Sequence, residues 1–169
     1  VMQADLDGVS EICRTATDFD WGWVKTDVHR YAELAGWSVL DYFPPLGASL
    51  GTSLQVNRPE AEVRFSRRFL RSIGAANEDI VTISIKVTDY VAEPDRRMSS
   101  VRARQFADLS ERITSVLEGA ACCGPETGYE MVWRQPAVTF GLLSASGAMH
   151  LVIVNPRFQD FLARSQRFE

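Results

Sequence analysis

The chain has 169 residues, 46% of them apolar and 24% charged, which is enough for one domain with its own core and too apolar for a disordered chain. The net charge of −4 argues against the basic footprint of a nucleic-acid binder. No apolar run approaches the ~20 residues that a membrane-spanning helix needs.

Leu6, Val9, Ile12, Cys13 and Ala16 recur at helical spacing and predict a helix over 4–17. The stretch DFDWGW interrupts it. Thr26 and Asp27 open a second helix with Val28, Tyr31, Leu34 and Ala35 as its apolar stripe and Gly36 as its stop. Strands are expected at 37–43, 48–56 and 61–67, the first two forming a hairpin-like pair. The β-branched run 80–91 is the strongest strand signal and puts Val81, Ile83, Ile85 and Val87 on one face. Ser99 or Ser100 caps the longest helix, which Val101, Phe106, Leu109, Ile113, Val116 and Leu117 line and Gly119 ends. Beyond a turn at 124–128, two strands flank Gln135-Pro136, a tight connection leads to a strand at 150–155, and Asn155-Pro156 opens a last helix through about Arg164. Short adjacent strands imply antiparallel pairing. The order predicts an α+β fold, a mainly antiparallel sheet with helices packed on one face, as a single domain over 1–169.

The stretch DYFPPLGASLGT, 41–52, raises the question of a phosphate cradle. A P-loop needs Lys and Ser or Thr after its last glycine, and Gly51 is followed by Thr52 and Ser53. A dinucleotide fingerprint needs three glycines between a strand and a helix, and here a strand follows. Two readings stay open: a hairpin connection in which glycine permits positive φ, or a backbone surface that approaches a partner closely.

Neither His29 nor His150 has a Cys or carboxylate at metal-ligand spacing, and Cys122-Cys123 read as small apolar residues at a helix end. No catalytic residue, metal or cofactor is expected. Trp21, Trp23 and Trp37 either seal the N-terminal helices onto the sheet or anchor an interface, and Trp133 reads as core. Residues 1–62 carry ten acids against four bases, an excess of six negatives. That is either a solvated surface or a face that steers a basic partner. The start VMQADLDG lacks the basic and apolar regions of a secretory signal, and three cysteines make no disulfide framework, so a cytoplasmic protein is expected.

The succession FDWGWVKTDVHRYAELAGW, DYFPPLGASLGTSL and ISIKVTDYV resembles the actinobacterial toxin-immunity protein family, to which the immunity factor for the tuberculosis necrotizing toxin belongs. The resemblance covers most of the chain and rests on aromatic and glycine positions. It implies a non-enzymatic antitoxin of the producer cytoplasm that binds the catalytic domain of a secreted NAD-glycohydrolase toxin and blocks its NAD site. Nucleic acid and membrane are not expected partners. Under that resemblance the contacts fall on Pro45, Leu46, Gly47, Ala48, Ser49 and Gly51. Lys25 would probe the toxin's site, and Asp18 and Asp20 would pair with basic toxin residues. A cytoplasmic secretion chaperone that grips an export substrate, with the tryptophans as the wall of its groove, is the alternative. A small-molecule-binding or enzymatic α+β domain is a third reading, for which a concave pocket with convergent polar groups is needed.

Overall fold

Among the described residues, eight strands in the order β1-β2-β3-β4-β8-β7-β6-β5, every neighbouring pair antiparallel, make one continuous sheet. In chain order the elements are α1 (Leu6–Asp18), α2 (Asp27–Ala35), β1 (Ser38–Phe43), β2 (Gly47–Gly51), β3 (Glu60–Phe65), β4 (Ile80–Lys86), α3 (Arg96–Leu117), β5 (Cys122–Gly124), β6 (Tyr129–Arg134), β7 (Thr139–Ala145) and β8 (Ala148–Val154), with a 3-10 turn at Pro156–Phe158. The structure is a computed structural model that describes residues 3–43, 46–66, 79–93, 95–119, 122–124, 128–145 and 147–159. Pro44, Pro45, most of the expected turn at 124–128 and the later part of the expected last helix lie outside the described residues. Two four-stranded meanders meet where β4 pairs with β8, and the helices cover one face. The α+β expectation holds.

The helix-side core follows from strand alternation. Ala61 and Val63 of β3, Ile83 and Ile85 of β4, Leu151 and Ile153 of β8, and Phe140 and Leu142 of β7 are all buried against the helices. From the helices come Val9, Ile12, Cys13 and Ala16 of α1, Val28 and Tyr31 of α2, and Leu109 and Ile113 of α3. Arg102 of α3 ties the layers together: its guanidinium donates to Thr88 Oγ1 at 2.5 Å and to the carbonyls of Asp89 and Gly147 at 3.1 and 2.5 Å.

Several expectations change in detail. α1 starts at Leu6 because Asp5 caps it, accepting from the Gly8 N–H at 2.9 Å. In α2, Ala32 faces the core and Leu34 is 56% exposed, while Gly36 takes the left-handed conformation that ends the helix. Asp95, not Ser99 or Ser100, caps α3, accepting from the N–H groups of Arg97 and Met98. Its last cap is Glu118 at φ 51°, one residue before Gly119. Val81 leaves the face of Ile83 and Ile85 because the pairing slips where Phe65 meets Ile80. Ile80 then faces the helices, and Val81 joins the opposite cluster. β2 stops at Gly51 rather than running to 56, and Thr52 turns to donate to the Pro59 carbonyl. Cys122 and Cys123 lie in β5, not at a helix end.

Trp21 and Trp23 stack at 4.3 Å, and Trp21 also stacks on Tyr31 at 5.2 Å. Both pack onto the core, Trp37 is nearly buried and Trp133 fully so. The sealing role is the one the fold uses. Asp27 holds the DFDWGW corner from a fully buried position: its carboxylate accepts from the N–H groups of Gly22 and Trp23 at 2.8 Å each and pairs with Arg30 at 2.6 Å.

Candidate functional site

The sheet face opposite α1, α2 and α3 carries a depression of about 430 Å³ that runs from the β1–β2 turn across β3 and β4 to Tyr129. Pairing register decides its floor. Gly47 stands opposite Arg64 and Thr82 follows on β4, while Ser49, Glu62, Ser84 and Val152 form the next row. β2 thus offers only Gly47, Ser49 and Gly51 to this face, and the shallow floor is a direct result. One side is apolar: Val81, Val132, Val152, Val154 and Phe158 form a second buried cluster with Tyr129. Burial pushes the Tyr129 phenol up to about 12, so it stays a neutral hydroxyl.

Next to the depression on the same sheet face, beyond Ser84, lies an ordered set of polar groups. Lys86 Nζ donates to Glu60 Oε1 at 2.6 Å, and this hydrogen bond lowers the Glu60 pKa. His150 Nε2 lies 3.2 Å from the Ala145 carbonyl, which can only accept, so Nε2 carries the proton. Nδ1 is then an acceptor, and the Ser84 hydroxyl donates to it at 3.1 Å. Burial, and then the charge of Lys86, hold the His150 pKa below its ordinary value and favour this neutral form. The imidazole has the acceptor geometry of a general base toward Ser84, with a backbone carbonyl where an orienting carboxylate would be needed. These two residues are 66 positions apart in sequence, and only the β4–β8 register brings them together.

The β1–β2 turn forms the rim. Phe43 is 49% exposed and Leu46 64% exposed, beside Leu40 at 59%. Gly47 is extended rather than left-handed: a β-carbon there would lie 2.4 Å from the Val63 carbonyl oxygen, so its missing side chain lets β2 approach β3 within this chain. Ala48 points into the core and Gly51 lies under Leu40, so neither presents a side chain to the depression. Pro45 lies outside the described residues. The stretch 47–51 spells G-x-S-x-G around Ser49, although no catalytic motif was expected there. The signature of a catalytic elbow requires a strand-to-helix turn, and Ser49 sits in mid-strand.

The remaining expected contacts fall elsewhere. Asp18 and Asp20 flank a shallow depression of the helix layer with Arg30, Glu33 and Leu34, and Lys25 is exposed in the turn ahead of α2. Of the ten acids in residues 1–62, five are engaged internally: Asp5 and Asp27 on backbone N–H groups, Asp7 with Arg112, Glu11 with Arg14 and Glu60 with Lys86. Asp18, Asp20, Glu33, Asp41 and Glu62 have no ion pair among the described residues. His29 is exposed on α2, its ring 4.8 Å from that of Tyr42. No group of three or more His, Cys, Asp or Glu side chains with metal-binding geometry occurs among the described residues, and none of their helices is long and apolar enough to cross a membrane.

No curated protein and no solved structure matches the chain. A family model matches residues 7–155, which takes in every helix and strand apart from the first residue of α1. The chain belongs to DUF6301, a family of unknown function.

Proposed function

We propose that this protein is a non-enzymatic, partner-binding domain of the toxin-immunity type, acting in the producer cytoplasm. Its β1–β2 turn enters the NAD site of an NAD-glycohydrolase toxin domain. The observation that carries the reading is the exposure of Phe43 and Leu46, 49% and 64%, on the two sides of the β1–β2 connection at the edge of the 430 Å³ depression. Exposed apolar side chains at strand ends are anchors that tight interfaces use. The sequence resemblance supplies the class of partner. The five acids without an internal ion pair would steer a basic toxin surface, with Asp18 and Asp20 at the periphery of contact. A tight inhibitor of this kind buries about 1,600 Å² in total, so turn and helix layer would both contribute. The tryptophans that would wall a chaperone groove pack instead against Phe19 and Tyr31.

The test is titration of the protein into a purified NAD-glycohydrolase toxin domain while NAD consumption is followed. Loss of hydrolysis at equimolar protein is expected, with Leu46→Asp weakening inhibition and leaving the fold intact. A folded Leu46→Asp variant that inhibits as well as the parent removes the turn from the interface.

A further inference from the structure

β1 is the outermost described strand on its side of the sheet, so among the described residues no strand lies beside its outer row of backbone N–H and C=O groups. Five of its six residues are exposed. Its composition is unusual for an open edge. Tyr42 lies on the helix side against His29, Phe43 lies opposite Gly47 on the other face, and Leu40, at the bulge, is exposed with its side chain over Gly51. A strand laid alongside would meet apolar surface on both faces. Asp41, the one charge in the strand, has no ion pair among the described residues, and Asp18, Asp20, Glu33 and Glu62 add to a negative N-terminal half. A second copy of this chain fits poorly. An antiparallel copy paired about Asp41 would set its own Asp41 opposite this one.

We infer that β1 takes up an extended segment of a partner protein in which apolar residues alternate with lysine or arginine, added to the sheet as a further strand. Backbone hydrogen bonds supply the grip, Tyr42 receives the apolar side chains on the helix-side face, and Asp41, which shares the other face with Phe43, selects for basic ones there. The inference rests on the reading of this protein as a partner-binding domain and specifies the chemistry that its edge recognises.

Three tagged synthetic peptides test it against the full chain: Lys-Val-Lys-Ile-Lys-Val-Lys, the same peptide with every Lys replaced by Glu, and the lysine peptide with prolines at its apolar positions. Binding is followed by fluorescence anisotropy and amide exchange is mapped across residues 38–43. The lysine peptide is expected to bind at least about fivefold more tightly than the glutamate peptide. The proline peptide, which lacks donors for the ladder, loses binding. Exchange slows across 38–43, and Asp41→Lys, an exposed substitution, reverses the charge preference. Equal binding of the lysine and proline peptides, or unchanged exchange at 38–43, overturns the inference. No toxin enters this experiment. Failure here with toxin neutralisation intact removes strand addition alone, and success here without neutralisation removes the toxin and keeps the edge.

Discussion

Tyr129 of β6 lies across Gly141 of β7, with ring atoms 2.7 Å from the point that a β-carbon on residue 141 would occupy. The ring closes the far wall of the depression and is itself buried beside Val132 and Val152. Any side chain at 141 must displace a ring that is held on its other sides. Gly141→Ala is expected to lower stability by about 1–3 kcal/mol, read as a lower denaturant midpoint at unchanged slope. A variant as stable as the parent contradicts the contact.

Gly47 and Leu46 are neighbours with opposite expected responses. A β-carbon at 47 meets the Val63 carbonyl, a backbone atom that cannot swing away, so Gly47→Ala costs about 1–3 kcal/mol by forcing β2 from β3. Leu46 is mostly in water, and Leu46→Ala stays within about 0.5 kcal/mol of the parent. Thermal melts of the two variants check both. The difference also decides which residue can probe binding: a loss of partner affinity at position 47 would report on folding, while one at 46 would report on contact.

Asp27 carries the corner between α1 and α2. Removing its carboxylate leaves the N–H groups of Gly22 and Trp23 without their acceptor and frees Arg30, whose head is largely in water already. Asp27→Ala is expected to cost about 2–3 kcal/mol, mainly from the two orphaned donors. It should also shift tryptophan emission, because Trp21 and Trp23 stack in the segment those donors fix. Unchanged emission and stability would show that the corner is held by the aromatic packing alone.

His150 gives stability a pH dependence of known sign. Burial and Lys86 depress its folded pKa, so the unfolded chain, with an ordinary value of about 6.5, binds the proton more readily. The stabilisation is full above that ordinary value and is lost as pH falls through it toward the folded pKa. Urea midpoints should therefore decline from pH 7 to 5, before carboxylates enter, and His150→Asn should flatten that decline. A parent profile that is flat over this interval contradicts the assignment of a neutral, Ser84-bonded imidazole.

Local signals carried much of the fold. Gly36 ended α2 as expected and Thr26 marked its start, although the Thr26 side chain makes no capping hydrogen bond, and the alternation in 80–86 marked β4, because such signals act within a few residues. Where tertiary packing chose between local equivalents, the sequence could not: Leu34 and Ala32 both satisfy helical spacing, and only the position of α2 over the sheet sends Leu34 outward. Asp95 was hidden as a cap because the first helical residues, Arg96 and Arg97, start no apolar stripe. The β1–β2 connection was legible as a turn from its Pro and Gly content. Its true neighbours were not, since Ser84, Tyr129 and His150 reach the same face through pairings of β4 with β8 and β6 with β7. Gly47 shows the limit most plainly: a glycine marks a demand on the backbone, but the chain alone does not say whether that demand is a left-handed turn, a neighbouring strand or a partner.

The most direct test of partner neutralisation is one titration: increasing amounts of this protein against a fixed amount of an NAD-glycohydrolase toxin domain, with residual NAD hydrolysis and co-elution on size exclusion read from the same mixtures. Neutralisation through the β1–β2 turn predicts linear loss of activity to an equimolar end point and a co-eluting complex, both weakened by Leu46→Asp. Full hydrolysis in the presence of excess protein, with the two components eluting apart, would contradict it.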